Sequence, residues 1–316
     1  METKQYLIRK FEEYYRKKRI RLPKNFEQRE FAFVPFESLP QFVMKRHNAF
    51  SSEEDFRAYI LSAIPAHIYY SSAYYERPNE ENMEKKGWKG ADLIFDIDAD
   101  HLPVRTSSIE HALAIAKREV QKLLKILSVD FGVKEVEVFF SGGRGYHVHV
   151  LDEDFLNLGS PERREIVDYL MLNNPKIVEK SSILDSNAAI RITRLLEKKG
   201  ISGKEIIKRP RDFEREISSL RVYIDAPVTA DVKRLIRLPE SLHGKTGLRV
   251  VEVEDLKSFD PFRDAIAFGE EKVKIRVLSR IKMRMHKLEL DFHPGEVVAI
   301  PEFSAIYLLC RGMATI

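Results

Sequence analysis

The chain has 316 residues, 44% of them hydrophobic, enough for one large domain or a domain with a sub-domain. Its 53 Lys+Arg against 49 Asp+Glu leave a net +4, which suits a polyanionic partner without demonstrating one. A single cysteine, Cys310, excludes an internal disulfide framework and a multi-cysteine zinc site. The charged start METKQYLIRKFEEYYRKKRIRLP has no signal-like apolar core, and no apolar run reaches the roughly 18 residues a bilayer requires, so a cytoplasmic protein without membrane contact is expected.

Tyr6, Leu7, Phe11, Tyr14 and Tyr15 recur at helical spacing and predict an amphipathic helix over 3–18. REFAFVPF, 29–36, alternates as a strand does, and Ser52 caps a helix over EEDFRAYILSAI that stops before Pro65. AHIYYSSAYY is strand-like, ERPNEENMEKKGWKG is a polar loop, and the apolar strand GADLIFDIDAD follows. SIEHALAIAKREVQKLLKIL reads as a helix capped by Ser108; VKEVEVFF and GYHVHVLD read as strands of a hairpin joined by SGGRG. Residues 160–218 turn helical and charged, and are read as a helical sub-domain or insertion between the two parts of a core, 1–159 and 219–316. SLRVYIDAPVT is predicted to be a strand, ADVKRLIRLP a short helix, and SLHGKTGLRVVEV a basic loop running into a strand. GEVVAIPEFSAIYLLCRGMA closes the chain as strand and helix. Strands and helices without a steady βαβ rhythm place the fold in the α+β class, with mixed or antiparallel sheets.

Three stretches carry chemistry. In DLIFDIDAD, alternation sends Asp96 and Asp98 to one strand face, with Asp100 at the strand end as a loop or capping residue. A D-x-D by itself is equally an exposed strand end, but the apolar run before it marks a buried strand, where adjacent carboxylates need a cation between them. In SGGRGYHVH, glycines leave backbone N–H groups open to converge on phosphate and Arg144 adds a forked donor. A plain glycine turn with a solvated arginine is the blander alternative. His147 suits a phosphate contact better than an H-x-H metal site with His149, since no further His or Cys lies nearby in sequence. In YIDAPVTADVKRLIRLPESLHGKTG, Asp225 ends an apolar stretch, and Lys233, Arg234, Arg237, His243 and Lys245 form a basic cluster. A helix-capping aspartate before a solvated charged helix would look similar, although Asp231 could serve as that cap. Carboxylates, a phosphate cradle and a basic loop are together the parts that phosphoryl or nucleotidyl transfer needs. No GxxxxGK[ST] loop is present, which disfavours a Walker-type ATPase.

DLIFDIDAD, SGGRGYHVHV and IDAPVTADVKRLIRLPESLHGKTGL, in that order, resemble the small catalytic subunit of the archaeal and eukaryotic type of DNA primase, with REFAF and LLCRGMA as supporting pieces. The resemblance implies an α+β primase core with a helical insertion. It implies Asp96, Asp98 and Asp225 as a catalytic triad holding two Mg²⁺ or Mn²⁺ ions. It further implies Ser141, Gly143, Arg144, His147, Arg237, His243 and Lys245 as contacts of the incoming NTP or dNTP, with Arg29 a weaker match. The activity implied is the synthesis of RNA or DNA primers on single-stranded DNA, beside a large subunit that carries an iron–sulfur cluster. The family's cysteine/histidine zinc module is expected to be missing, because DADHLPVRTSSIEHALAIAKREV contains no cysteine. Two other readings compete. A D-x-D nucleotide-sugar glycosyltransferase leaves the glycine–arginine bend and the basic loop without a shared task. A non-catalytic single-strand-binding subunit has no use for buried carboxylates.

Overall fold

The structure, a computed structural model, describes residues 2–102, 108–172, 187–202 and 210–316. Helix α1, Glu2–Lys17, buries Leu7, Phe11, Tyr14 and Tyr15, the stripe its spacing predicts. Strands β1 (Phe31–Val34), β2 (Lys45–Asn48) and β3 (His67–Ser71) run antiparallel, with β1 in the middle of the three. β1 is buried throughout: Phe31 and Phe33 join the main core, while Ala32 and Val34 pack with Tyr69 on the other face. Helix α2, Glu53–Ala63, starts where the Ser52 side chain accepts from the Asp55 N–H and ends at a left-handed Ile64 before Pro65. The stretch read as one strand over 66–75 divides into β3 and β4 (Ala73–Tyr75), and β4 pairs with β5 (Trp88–Ala91).

The second sheet is built around the carboxylate strand, β6 (Leu93–Asp98). After it come α3 (Ile109–Asp130), β7 (Val136–Phe140) and β8 (Gly145–Val150), and β8 pairs antiparallel with both β7 and β6. The Ser108 side chain accepts from the His111 N–H, as a capping serine should. α3 packs on β6 and β8 through Leu113, Ala116, Val120, Leu123 and Leu127, spaced three and four apart. Phe95, Ile97, Tyr146 and Val148 are buried with them in one apolar core that runs from Leu7 to Ala314.

Helix α4, Ser160–Met171, places Ile166, Val167 and Leu170 in that main core. Leu172, Ile192, Leu196 and Ile217 form a separate small cluster with the helices Asn187–Glu197 and Glu214–Leu220.

Two elements of the third motif differ from expectation. Residues 221–225, predicted to be strand, are extended without a ladder, and Ala226–Ala230 is a short helix with Pro227 in its first turn. Val222 and Ile224 are buried at period 2, as the sequence suggested, but the backbone is held mainly by other partners. Glu119 of α3 accepts from the Tyr223 N–H at 3.1 Å, and Lys122 donates to the Arg221 carbonyl at 2.7 Å. ADVKRLIRLP is no helix: after a turn, Leu235–Arg237 forms β9, paired with β3 as Tyr69↔Arg237 and Ser71↔Leu235. Ile236 and Leu238 are buried while Leu235 and Arg237 are half-open, a period of two, and Pro239 halts helical propagation. Tertiary pairing with an open strand edge overrides the local charge pattern.

The remainder adds β10 (Val251–Glu252) to the edge of β7, then β11 (Lys272–Val277), the hairpin β12–β13 (Ile281–Met285, Leu288–Phe292) and β14 (Val297–Pro301). The helix Glu302–Cys310 and β15 (Ala314–Thr315) end the fold, and the third sheet has the order β14-β11-β15. The closing strand and helix agree with expectation. All pairings are antiparallel, and the architecture is α+β. Among the described residues no helix is long and apolar enough to cross a membrane.

Candidate active site

The two four-stranded sheets, β2-β1-β3-β9 and β10-β7-β8-β6, each turn an edge toward a cavity of about 300 Å³. From β6 come Asp96 and Asp98; from the bend before β8 and its first turn come Ser141, Gly143, Arg144 and His147. From β9 and the loop after it come Arg237, His243 and Lys245. Asp225, far away in sequence, is drawn in by its backbone, whose N–H donates to the Asp96 carbonyl at 2.8 Å. It occupies the N-cap position of its short helix yet its side chain caps nothing; Oδ2 stands 3.9 Å from His101 Nδ1, and the residue is not among those that line the cavity.

The close approach of β8 to β6 depends on Gly145. A Cβ there would collide with the Ile97 carbonyl and stand 2.8 Å from the Asp98 Cα. The bend itself turns through Gly142 at φ +76°, where a side chain would also meet His243 Cβ at 2.8 Å. Thr246 Oγ1 donates to the Gly142 carbonyl at 2.6 Å and ties the basic loop to the glycine bend. The two phosphate-binding candidates are therefore one assembly.

Asp96 carries the dominant electrostatic stress. Its side chain is 20% exposed, and its nearest ion-pairing nitrogen among the described residues is His147 Nε2 at 3.8 Å. Burial first, then the charges of Asp98 and Asp225, push its pKa from 3.8 up to about 7. Burial also holds His147 and His243 well below the ordinary histidine value, with Arg237 adding to both, so each imidazole is neutral at pH 7. Arg144 forms an ion pair with Asp100 on the solvent side. Asp100 is a loop residue, as expected, but the capping runs the other way: its N–H donates to Asp98 Oδ1 at 2.9 Å.

Asp96 and Asp98 line the cavity and Asp225 does not; all three are hard oxygen donors, the kind that fits a divalent cation such as Mg²⁺ or Mn²⁺. Among the described residues no three Asp, Glu, His or Cys side chains are yet gathered closely enough to hold a metal ion. The backbone brings Asp225 next to Asp96, and the side chains are not drawn into a closed ligand shell.

Other expectations sort themselves by position. His149 is an internal face residue, with Tyr70 Oη 3.4 Å from its Nδ1. Lys233 lies in the turn before β9 and does not line the cavity, whereas Arg234 does. Arg29 is buried away from it, spending its donors on Lys24, Ser71, Ser72, Tyr74 and Asp92. The sequence reasoning missed Tyr69, Thr246 and Arg311, which also line the cavity. Alternation in HIYYS was the available signal for Tyr69; Arg311 lies in LLCRGMA, quoted only for resemblance, and nothing local marked its role.

Fold and site together define a nucleotidyltransferase class of centre: one cavity lined by the Asp96 and Asp98 carboxylates, with His147 and Arg144 beside them on the adjoining hairpin and Arg237, His243 and Lys245 across from them. The pattern of the family described as DNA primase small subunit matches residues 95–255. DNA primase small subunit PriS of Archaeoglobus fulgidus is 57% identical across all of this chain and 99% of its own length. PriS of Methanococcoides burtonii is 37% identical, covering 99% of this chain and 98% of its own length. Among solved structures, the polymerase domain of Mycobacterium tuberculosis Ligase D in complex with DNA aligns at TM-score 0.46 and 12% identity, over 80% of this chain and 83% of that one. This chain belongs to the DNA primase small subunit family, the catalytic primase subunits of replication initiation. The glycosyltransferase and non-catalytic binding readings fall with that assignment.

Proposed function

We propose that this chain extends and starts primers on single-stranded DNA by template-directed transfer of nucleotides, as a DNA-directed primase of the RNA-polymerase type. What carries the reading is one cavity bounded by the end of the D-x-D strand, the glycine–arginine bend and the basic loop, with Asp225 bonded to the backbone of Asp96. Asp96, Asp98 and Asp225 are the residues that would hold two divalent cations. Bound there, such ions supply charge stabilisation to the attacking 3′-oxygen and to the triphosphate oxygens. Arg144 and Arg237 offer forked donors to the phosphates and the departing pyrophosphate, with Ser141, Gly143, His147, His243 and Lys245 lining their path. The neutral imidazoles can donate from one nitrogen without adding charge. Arg144 must exchange the Asp100 carboxylate for phosphate when nucleotide enters.

That the relatives are small subunits supports a larger partner. We take that partner to be a large subunit with an iron–sulfur cluster, the assembly to work in the cytoplasm, and the helical sub-domain or insertion read over 160–218 to begin after α4, which belongs to the main core; 173–186 and 203–209 lie outside the described residues. Incubation with single-stranded DNA, NTPs or dNTPs and Mn²⁺ or Mg²⁺ is expected to yield primers and extended primers. Turnover of a sugar nucleotide with no primer synthesis or extension would sink the reading.

A further inference from the structure

His67 lies outside every motif that the activity accounts for. It opens β3 and is fully buried, two residues before Tyr69 and therefore on the same strand face. Its Nδ1 stands 2.6 Å from Arg237 Nη1. A guanidinium has donors only, so Nδ1 accepts and the ring proton sits on Nε2. The Gly244 N–H points to the same Nδ1 at 3.4 Å, and the His243 ring meets His67 edge-on at 4.9 Å. Gly244 lies so flat against this ring that a Cβ would stand 2.8 Å from Ala66 and 2.9 Å from His67 Nε2. Tyr69, the register partner of Arg237, sets its ring 4.9 Å from the same guanidinium. One imidazole thus touches both elements of the cationic wall, β9 and the basic loop.

We propose that His67 is a positioning residue for the triphosphate, fixing the Arg237 guanidinium toward the cavity and seating the Gly244 bend that carries His243 and Lys245. The proposal rests on the nucleotide-binding reading of Arg237. The choice of imidazole has a physical reason. A carboxylate at this place would hold the arginine more strongly but cancel the charge that phosphate must find. An imidazole orients one N–H and leaves the positive charge intact. Burial, Arg237 and Lys245 keep its pKa well below the ordinary value, so it remains an acceptor at working pH.

The test compares primer extension by the full-length wild type, Arg237→Ala, His67→Leu, His67→Asn, His67→Gln and the double variant His67→Leu/Arg237→Ala. Asn places an acceptor near the Nδ1 position and Gln near Nε2. The expected result is a rise of about tenfold in KM for NTP with His67→Leu, at nearly unchanged kcat, from loss of a charge-assisted hydrogen bond. His67→Asn recovers most of it and His67→Gln does not, while His67→Leu adds less than about twofold on top of Arg237→Ala. If His67→Leu does not fold, the Asn–Gln contrast decides. Equal KM values for Asn and Gln, or full additivity in the double variant, overturn the role of His67 while Arg237→Ala still raises KM. An unchanged KM in Arg237→Ala instead removes the nucleotide reading of that wall.

Discussion

The two walls of the cavity are built in opposite ways. The carboxylate wall is the hairpin β7–β8 with β6 laid against it, six residues in strict register from Leu93↔Val150 to Asp98↔Gly145. The cationic wall is a three-residue strand on the edge of another sheet and an irregular loop, stitched together by His67 and Thr246. The first is a stiff support for a charge arrangement that resists desolvation. The second is held by a few polar contacts and is the part able to adapt to a ligand. Mutations should therefore separate the walls, the first through kcat and stability, the second through KM.

The largest effect is expected from Asp96→Ala or Asp98→Ala. Each should lower nucleotide incorporation by about 10³-fold or more while single-stranded DNA still binds, because the lost group acts on the transition state. Near-normal incorporation by both variants, measured beside a DNA-binding assay, would end the distinction between the walls. Arg237→Ala comes next, with KM for NTP up about 10–100-fold and kcat changed less, the size of a charged hydrogen bond. Steady-state kinetics over NTP concentration reads this directly, and a pure kcat effect would contradict it.

Gly145→Ala should loosen the first wall mechanically. Its Cβ has no room between Ile97 and Asp98, and overpacking of this kind costs about 1–3 kcal/mol. Thermal denaturation should show a loss of several degrees; an unchanged Tm would mean the two strands part freely. The smallest effect is a gain. Because Asp96 binds its proton more tightly folded than unfolded, metal-free stability falls as pH rises from about 4 through about 7. Asp96→Asn should thus raise the metal-free Tm by roughly 2–4 °C at pH 8, a difference that closes toward pH 5. Mn²⁺ should stabilise the wild type more at pH 8 than at pH 6, since below about 7 it must displace a proton. A scan with EDTA or Mn²⁺ at each pH measures both.

The asymmetry between the walls also explains what could be read in advance. DLIFDIDAD and SGGRGYHVHV announce their structure locally: alternation fixes which face each aspartate takes, and glycines mark a bend that side chains would block. VKRLIRLP gave a charge pattern equally suited to an exposed helix, and only the open edge of β3 settled it as strand. Asp225 was singled out by its apolar context, but the predicted strand around it proved to be an extended segment held by Glu119 and Lys122 of α3. Tyr69 had only the alternation of HIYYS to mark it, and Arg311 had no local mark at all.

The sequence by itself determined the α+β class, the carboxylate strand and its hairpin, the capped helices and the residue types of the site, since these follow from periodicity, turn chemistry and side-chain charge over a few neighbouring positions. Tertiary structure alone decided that Asp225 reaches Asp96 and that β9 pairs with β3. It also decided that a buried histidine from β3 braces an arginine 170 positions away. Such contacts form when distant segments complete each other's hydrogen bonds and burial, a choice no short stretch of chain can make.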